Sequence, residues 1–380
     1  MIYFDNAATT QTQPEVIKTY TEVATKIWGN PSSLHNLGTQ ATRILEASRR
    51  QIAELLGKES KEIFFTTGGT DGENWVIKGV AFEKAHLGKH IIVSAIEHPA
   101  VKESALWLKT QGFEVDLAPV NTQGFVDVSA LETLIRPDTT LVSVMAVNNE
   151  IGAIQPIQEI SHLLADKPTI SFHVDAVQAI GMVPMEQYLT DRVDFASFSG
   201  HKFHSVRGVG FVYIKAGKKI APLLTGGGQE SDKRSTTENV AGIAATAKAL
   251  RLTLDKAADS QKQLAAMKQI LVDELSKYQD VTIFSGMENF VPSILTFGIK
   301  NIRGEVIVHA FEDHQIYIST TSACSSKAGK PAGTLIAMGV PQKLAQTAVR
   351  VSLDGDNDMG QIEQFLTIFK QIYHNTQKVR

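Results

Sequence analysis

Short apolar runs closed by small polar turns alternate with helical periodicities along the chain to about residue 255. That alternation predicts a mainly parallel sheet covered by helices. Thr39 to Leu56 reads as a helix, with Ile44, Leu45, Ile52, Leu55 and Leu56 on one face and Gly57 as its stop. Buried strands are expected at Ile63–Phe65, Ile91–Ala95, Leu141–Val147 and Ser171–Val174, then in a run ending at Phe198 and at Val209–Ile214. Val240 to Tyr278 reads as a long helix leading into a second unit. Apolar runs at Ser293–Phe297 and Ala348–Leu353, with a helix near the end, make that unit α+β. No linker, repeat or low-complexity tract marks the boundary, which is placed near residue 260.

The polar residues of interest sit where the predicted strands end. Lys202 follows the run Phe195-Ala196-Ser197-Phe198 and the turn Ser199-Gly200-His201, at a strand end, where open α/β sheets bind ligands. A half-buried lysine loses hydration, which disfavours its charged form and frees the amine to form a Schiff base with an aldehyde. A solvated loop lysine is the plainer alternative. Thr66 to Gly72, TTGGTDG, lies between a strand and a helix through Trp75, Val76 and Ile77. It can cup a phosphate on glycine N–H groups and the Thr70 hydroxyl, or be a plain turn with a threonine cap. His98 can stack on a planar ligand, exchange protons, or be bonded in a turn. Asn148 and Asn149 can bond a ligand oxygen or shape a turn. Asp175 needs a cationic partner or several hydrogen bonds, and helix capping competes with a ligand's protonated ring nitrogen. Gln178 can reach an adjacent oxygen. One ligand satisfies the whole set: a planar, phosphorylated aldehyde with a basic ring nitrogen. Pyridoxal phosphate is that ligand, and a lysine Schiff base with an acidic pyridinium partner is its protein signature.

Composition narrows the class. A chain of 380 residues, 43% hydrophobic and 20% charged, is an ordinary globular protein of about two domains. Its net charge of −3 gives no sign of a nucleic-acid or membrane surface. MIYFDNAATT lacks the basic and apolar regions of a signal peptide, so a cytoplasmic location is expected. Cys324 is the only cysteine, which excludes an internal disulfide and any multi-cysteine metal site. A lone cysteine is usually a small buried hydrophobe. The polar surroundings here, with Lys327 and Gly329, favour exposure and a thiolate. Val349, Val351 and Leu353 alternate with Arg350 and Ser352, so a strand would turn Arg350 away from the buried valines. Facing a cleft, its guanidinium suits a carboxylate; facing a carboxylate of the fold, it is an ion pair.

With these residues placed, the chain resembles the class V aminotransferase family of pyridoxal-phosphate enzymes, and within it the cysteine desulfurases. The likeness runs nearly end to end: YFDNAATT, NPSSLH, FTTGGTDGEN, EHPAV, NNEIGAIQP, HVDAVQA, SGHKFH, GGGQE with RSTTEN, TSACSS and VRVSL. It implies fold type I, with a large α/β domain (13–260) around a mainly parallel seven-stranded sheet. A smaller α+β domain (1–12 and 261–380) would carry Cys324 and Arg350.

By position, the resemblance makes Lys202 the cofactor lysine, Asp175 the partner of the pyridinium nitrogen, Gln178 the neighbour of the phenolic oxygen and His98 the stacking ring. Thr70, Ser199 and His201, with the backbone of Gly69, would hold the phosphate. Thr237 would reach the phosphate of a neighbouring subunit, which implies a homodimer. Asn149 and Arg350 would grip the carboxylate of L-cysteine, and Cys324 would accept its sulfur as a persulfide for a sulfur-acceptor protein. Lys202 would shuttle a proton from the substrate's α-carbon, with His98 assisting. Iron–sulfur assembly, tRNA thiolation and cofactor biosynthesis stay open as destinations, and SACSSK tilts the expectation to tRNA thiolation. The alternatives are a selenocysteine lyase, another class V activity or a non-catalytic scaffold, the last opposed by the intact lysine, aspartate, histidine and cysteine. Where many relatives follow VRVSL with Gly-Arg-Phe, this chain has Asp354-Gly355-Asp356-Asn357-Asp358.

Overall fold

In the computed structural model, which describes residues 1–321 and 333–378, the apolar runs close into three sheets. The first strand is β1 (Ile2–Tyr3). Seven follow: β2 (Ile63–Thr66), β3 (His90–Ser94), β4 (Glu114–Ala118), β5 (Thr139–Ser143), β6 (Ser171–Asp175), β7 (Phe195–Ser199) and β8 (Gly210–Ile214). The others described are β9 (Val281–Ile283), β10 (Ile294–Ile299), β11 (Ile316–Tyr317), β12 (Ser319–Thr320) and β13 (Ala348–Ser352).

β2 to β8 form the large sheet in the order β2-β8-β7-β6-β5-β3-β4, with β8 alone running against the rest. The sheet is thus mixed but mostly parallel, as expected. β3, β5, β6, β7 and β8 are buried at every residue, because helices cover both faces. The edge strand β4 exposes Glu114 and Leu117 instead. Parallel strands finish together, so Thr66, Ser94, Ser143, Asp175 and Ser199 arrive at one edge of the sheet. β8 begins at that same edge with Gly210. A Cβ there would lie 2.5 Å from the Phe198 carbonyl oxygen and 2.8 Å from Gly68 Cα, so only glycine lets the Thr67–Thr70 turn settle on the sheet.

Some boundaries differ from expectation. Leu141–Val147 was too long a strand: regular pairing ends at Ser143, although Val144 and Ala146 still donate to the His173 and Asp175 carbonyls at 3.1 and 2.8 Å. The apolar run continues because the departing chain stays buried. The helix read as Thr39–Leu56 spans Asn36–Leu55, and Gly57 stops it with φ at 64°.

Two of the hydrophobic cores among the described residues support the large sheet and the smaller one. Val240–Leu275 is one 36-residue helix that joins them, so residue 260 falls inside it. Its early residues, including Ile243 and Leu250, pack with Phe203 and Phe211 under the large sheet. Later ones, including Leu264, Met267 and Leu271, pack with Phe297, Val349, Val351 and Phe365. That second core supports the antiparallel sheet β12-β13-β10-β9. Ile2 and Phe4 belong to it as well, because β1 pairs with β11.

Candidate active site

From β1 the chain crosses to the large sheet, and residues 5–12 lie over its carboxyl edge as a strap. Lys202 ends a short 3-10 turn, Gly200–Lys202, directly after β7. Its Nζ donates to the Ala7 and Ala8 carbonyls at 2.6 and 2.9 Å. Gln178 donates through Nε2 to the same Ala7 oxygen at 2.8 Å, and Thr10 N and Oγ1 both donate to the His201 carbonyl at 2.9 Å. His204, held left-handed at φ 65°, pairs with Asp354 at 2.9 Å. The departure after VRVSL therefore ties the small sheet to the lysine turn.

A cavity of about 340 Å³ opens over these groups. Gly69, Thr70, His98, Asn149, Asp175, Gln178, Ser199, His201, Lys202 and Arg350 all line it. At one corner Gly69 starts the helix Gly69–Glu83, whose first-turn N–H groups have no intrahelical acceptor and could receive an anion. A Cβ on Gly69 would press on Val177 at 3.1 Å and face Ser199 Cβ at 3.5 Å, so glycine keeps the corner open. Asp71 fastens the turn, accepting from Thr67 N and Oγ1 at 2.7 and 3.0 Å and pairing with Arg234 at 2.7 Å. His201 Nδ1 lies 3.1 Å from Thr9 Oγ1, and burial, then Lys202 and Arg207, push the ring down to about 4. The ring is therefore neutral near pH 7.

Asp175 forms the opposite wall. It is 5% exposed and accepts from Val177 N at 2.9 Å, so it does hold a turn, but it also faces the cavity. Burial pushes its carboxyl up to about 6 against the pull of that N–H and of Lys202. A cation beside it would bring it back down. His98 caps the helix Pro99–Lys109 through Nδ1, which accepts from Ala100 N at 3.1 Å. The imidazole proton therefore sits on Nε2. Burial and Lys202 push the ring to about 4, so His98 is neutral near pH 7.

Arg350 comes from the central strand β13, between Thr296 on β10 and Ser319 on β12. As the alternation predicted, Val349 and Val351 face the core and Arg350 faces the cavity. Its guanidinium donates to the Asn149 carbonyl at 2.7 Å and pairs with Asp5 at 3.0 Å, while the buried Nε has no partner. The ion-pair reading of Arg350 is met by Asp5, and its Nε is left over on the cavity side. Thr237 is exposed and is not among the residues lining the cavity. Cys324 lies outside the described residues.

Sequence reasoning missed Asp5, the Ala7 and Ala8 carbonyls, and Glu73, which also lines the cavity. Backbone acceptors leave no side-chain signal, and Asp5 meets Arg350 across 345 residues. Glu73 gave no local signal either, because its burial follows from the strands packed beneath it.

The family model described as aminotransferase class V matches residues 2–365, and the chain belongs to that family. A relative from Lactobacillus delbrueckii subsp. bulgaricus, described as a NifS/IcsS protein homolog, is 50% identical over 100% of this chain and 99% of its own. One from Methanosarcina thermophila, described as cysteine desulfurase IscS, is 39% identical over 100% of this chain and 93% of its own. A solved structure titled NifS-like protein superposes with a TM-score of 0.92 at 37% identity, covering 98% of this chain and 99% of that one. No helix among the described residues is long and apolar enough to cross a membrane.

Proposed function

We propose that the protein is a pyridoxal-phosphate-dependent cysteine desulfurase, releasing L-alanine and passing sulfur on through Cys324. The observation that carries this is the meeting of Lys202, Asp175 and Arg350 in one cavity. The cavity fits the cofactor: an open glycine corner for a phosphate, a lysine amine at a strand end, and a buried carboxyl opposite that lacks a full cation. Thr70, Ser199, His201 and the Gly69 backbone would hold the phosphate, with Gln178 and His98 flanking the ring. When bound, the group supplies an electron sink for the pair released at the substrate's α-carbon.

The chain's own residues do the rest. Arg350 and Asn149 take the amino acid's carboxylate and fix its orientation. Lys202, whose amine would hold the cofactor's aldehyde, is the group placed to move the α-proton. Asp175 keeps negative charge beside the ring nitrogen. The neutral Nε2–H of His98 can donate to the substrate rather than accept from it. The Cys324 thiolate then forms a bond to the substrate's sulfur as the carbon–sulfur bond breaks. The electron pair stays on carbon, which takes up a proton and leaves as alanine.

Thr237, exposed in the single chain, suits contact with a second copy, and we place the homodimer, the cytoplasmic location and the 13–260 division within this proposal. The two cores joined by Val240–Leu275 support that division. The sulfur acceptor is a protein, an assembly scaffold or a tRNA-thiolation enzyme.

Loaded protein given L-cysteine and a thiol reductant is expected to release alanine and sulfide in equal amounts. Amino-group transfer without sulfide, or release from selenocysteine alone, would instead favour another class V activity. Arg350→Lys is expected to raise the KM for cysteine about tenfold or more, because an ammonium cannot match a planar fork and charged hydrogen bonds contribute about 1.5–3 kcal/mol. Cofactor loading should not change. An unaltered KM would return Arg350 to a purely structural ion pair.

A further inference from the structure

Beneath the cavity the large sheet carries a cluster of buried polar side chains. There Ser143 on β5, His173 and Asp175 on β6, and Ser197 on β7 share one face, as the pairing of Ser143 with His173 and of Asp175 with Ser197 requires. His173 Nδ1 lies 2.8 Å from Ser143 Oγ, and Nε2 lies 3.1 Å from Ser197 Oγ. Glu73 descends onto this face from the helix Gly69–Glu83. It is 1% exposed, it lines the cavity with Lys202 and Asp175, and neither carboxyl oxygen makes a well-formed hydrogen bond, although the Ser197 hydroxyl stands near enough to favour its charged form. His173 Nε2 stands 3.2 Å from its Oε2 but is engaged with Ser197. Glu97 completes the cluster, with Oε1 bound by Ser94 Oγ at 2.5 Å and Met145 N at 2.7 Å and with Oε2 unpartnered.

Three buried carboxyls cannot all be ionised here. Each isolated charge costs several kcal/mol to bury, and His173, pushed down by burial to about 3, supplies no cation. Burial, then Asp175, raise Glu97 to about 8, and burial, then Asp175 and Glu97, raise Glu73 well above its ordinary range against the pull of the Ser197 hydroxyl. Asp175 has the backbone N–H and the pull of Lys202, so it is the one to ionise.

We propose that Glu73 is a positioning residue on the cavity floor, a neutral carboxylic acid whose unpartnered oxygens face the bound cofactor and which leaves the floor's negative charge on Asp175. This rests on the pyridoxal-phosphate reading above. A neutral Glu73 can give or accept one hydrogen bond toward the ligand without competing for the ring-nitrogen proton. An ionised one would compete.

The test uses purified wild type, Glu73→Gln and Glu73→Leu. Two quantities are read: pyridoxal-phosphate affinity of the stripped protein, and the pH midpoint of the visible absorbance of the loaded protein, which reports the Lys202 linkage. Asp175, Asp5, His98 and His201 also face that lysine and are the same in all three proteins. Glu73→Gln should keep the affinity within about twofold and the midpoint within about 0.3 pH unit, because a neutral group replaces a neutral group. Glu73→Leu should weaken binding about tenfold, the loss of one hydrogen bond in a closed site. A midpoint lowered by about one unit or more in Glu73→Gln would mean that a negative charge had been removed, and would overturn the proposal. Unchanged affinity in Glu73→Leu would also overturn it, since Glu73 would then not face the cofactor. If Glu73→Leu does not fold, the glutamine titration decides alone. A wild type that takes up no pyridoxal phosphate at all would overturn the cofactor reading itself.

Discussion

Lys202→Ala is expected to yield a folded protein that still takes up pyridoxal phosphate yet turns over no cysteine. The fold should survive because the strap keeps its other ties. Ala7 O retains the Gln178 amide at 2.8 Å, and Thr10 still donates to His201 O. Ala8 is partly exposed, so water can replace the lost donor, and the cost is on the order of 1 kcal/mol. The anion corner at Gly69, Ser199 and His201 is built without the lysine, so affinity for the cofactor's phosphate should persist. Chemistry should not. The amine that links to the aldehyde and the base that moves the α-proton are the same group, and a positioned general base alone contributes about 10²–10⁴-fold. Borohydride treatment followed by peptide mass spectrometry should fix the cofactor to Lys202 in the wild type and to nothing in the variant. Cysteine turnover by Lys202→Ala near the parent rate would remove Lys202 from the mechanism.

The fold was legible because both its periodicities are strong. Buried runs such as Phe195–Phe198 and Val209–Ile214 cannot avoid being interior strands, and β3, β5, β6, β7 and β8 are buried throughout. The site was legible for a related reason. In a mostly parallel sheet each polar residue just past a strand converges on one edge, which gathers His98, Asn149, Asp175 and Lys202 into one cavity. Arg350 was readable only as a direction, since alternation says which face a side chain takes and not what that face meets.

What stayed hidden depends on contacts that no local pattern encodes. The strap over Lys202 works through the Ala7 and Ala8 carbonyls, which any residue would supply. Asp5 and Arg350 are brought together by β1 joining the second core. The boundary near residue 260 was soft for a physical reason: one unbroken helix serves both cores, so the sequence changes neighbours without changing periodicity. The acids Glu73 and Glu97 lie in motifs that the sequence displays, but their burial becomes apparent only when β6 and β7 bring His173, Asp175 and Ser197 beneath them.

Cys324→Ser should separate binding from sulfur transfer. The described partners of the lysine, the anion corner, Asp175 and Arg350 lie in other parts of the chain, so the variant should load cofactor normally and still change its spectrum when cysteine is added. Turnover should then stop. A few per cent of an ordinary cysteine is thiolate near pH 7, and thiolate is intrinsically very nucleophilic, whereas a serine hydroxyl is hardly ionised there. Serine also cannot hold the product, because the transferred sulfur needs a sulfur–sulfur bond to be passed to a thiol by exchange. Alanine and sulfide release is therefore expected to fall to the level of a protein-free control. In the parent protein, mass spectrometry after exposure to cysteine should show one added sulfur on the peptide containing Cys324. An unmodified peptide, or alanine release from Cys324→Ser at the parent rate, would move the chemistry to another class V activity in which this cysteine takes no part.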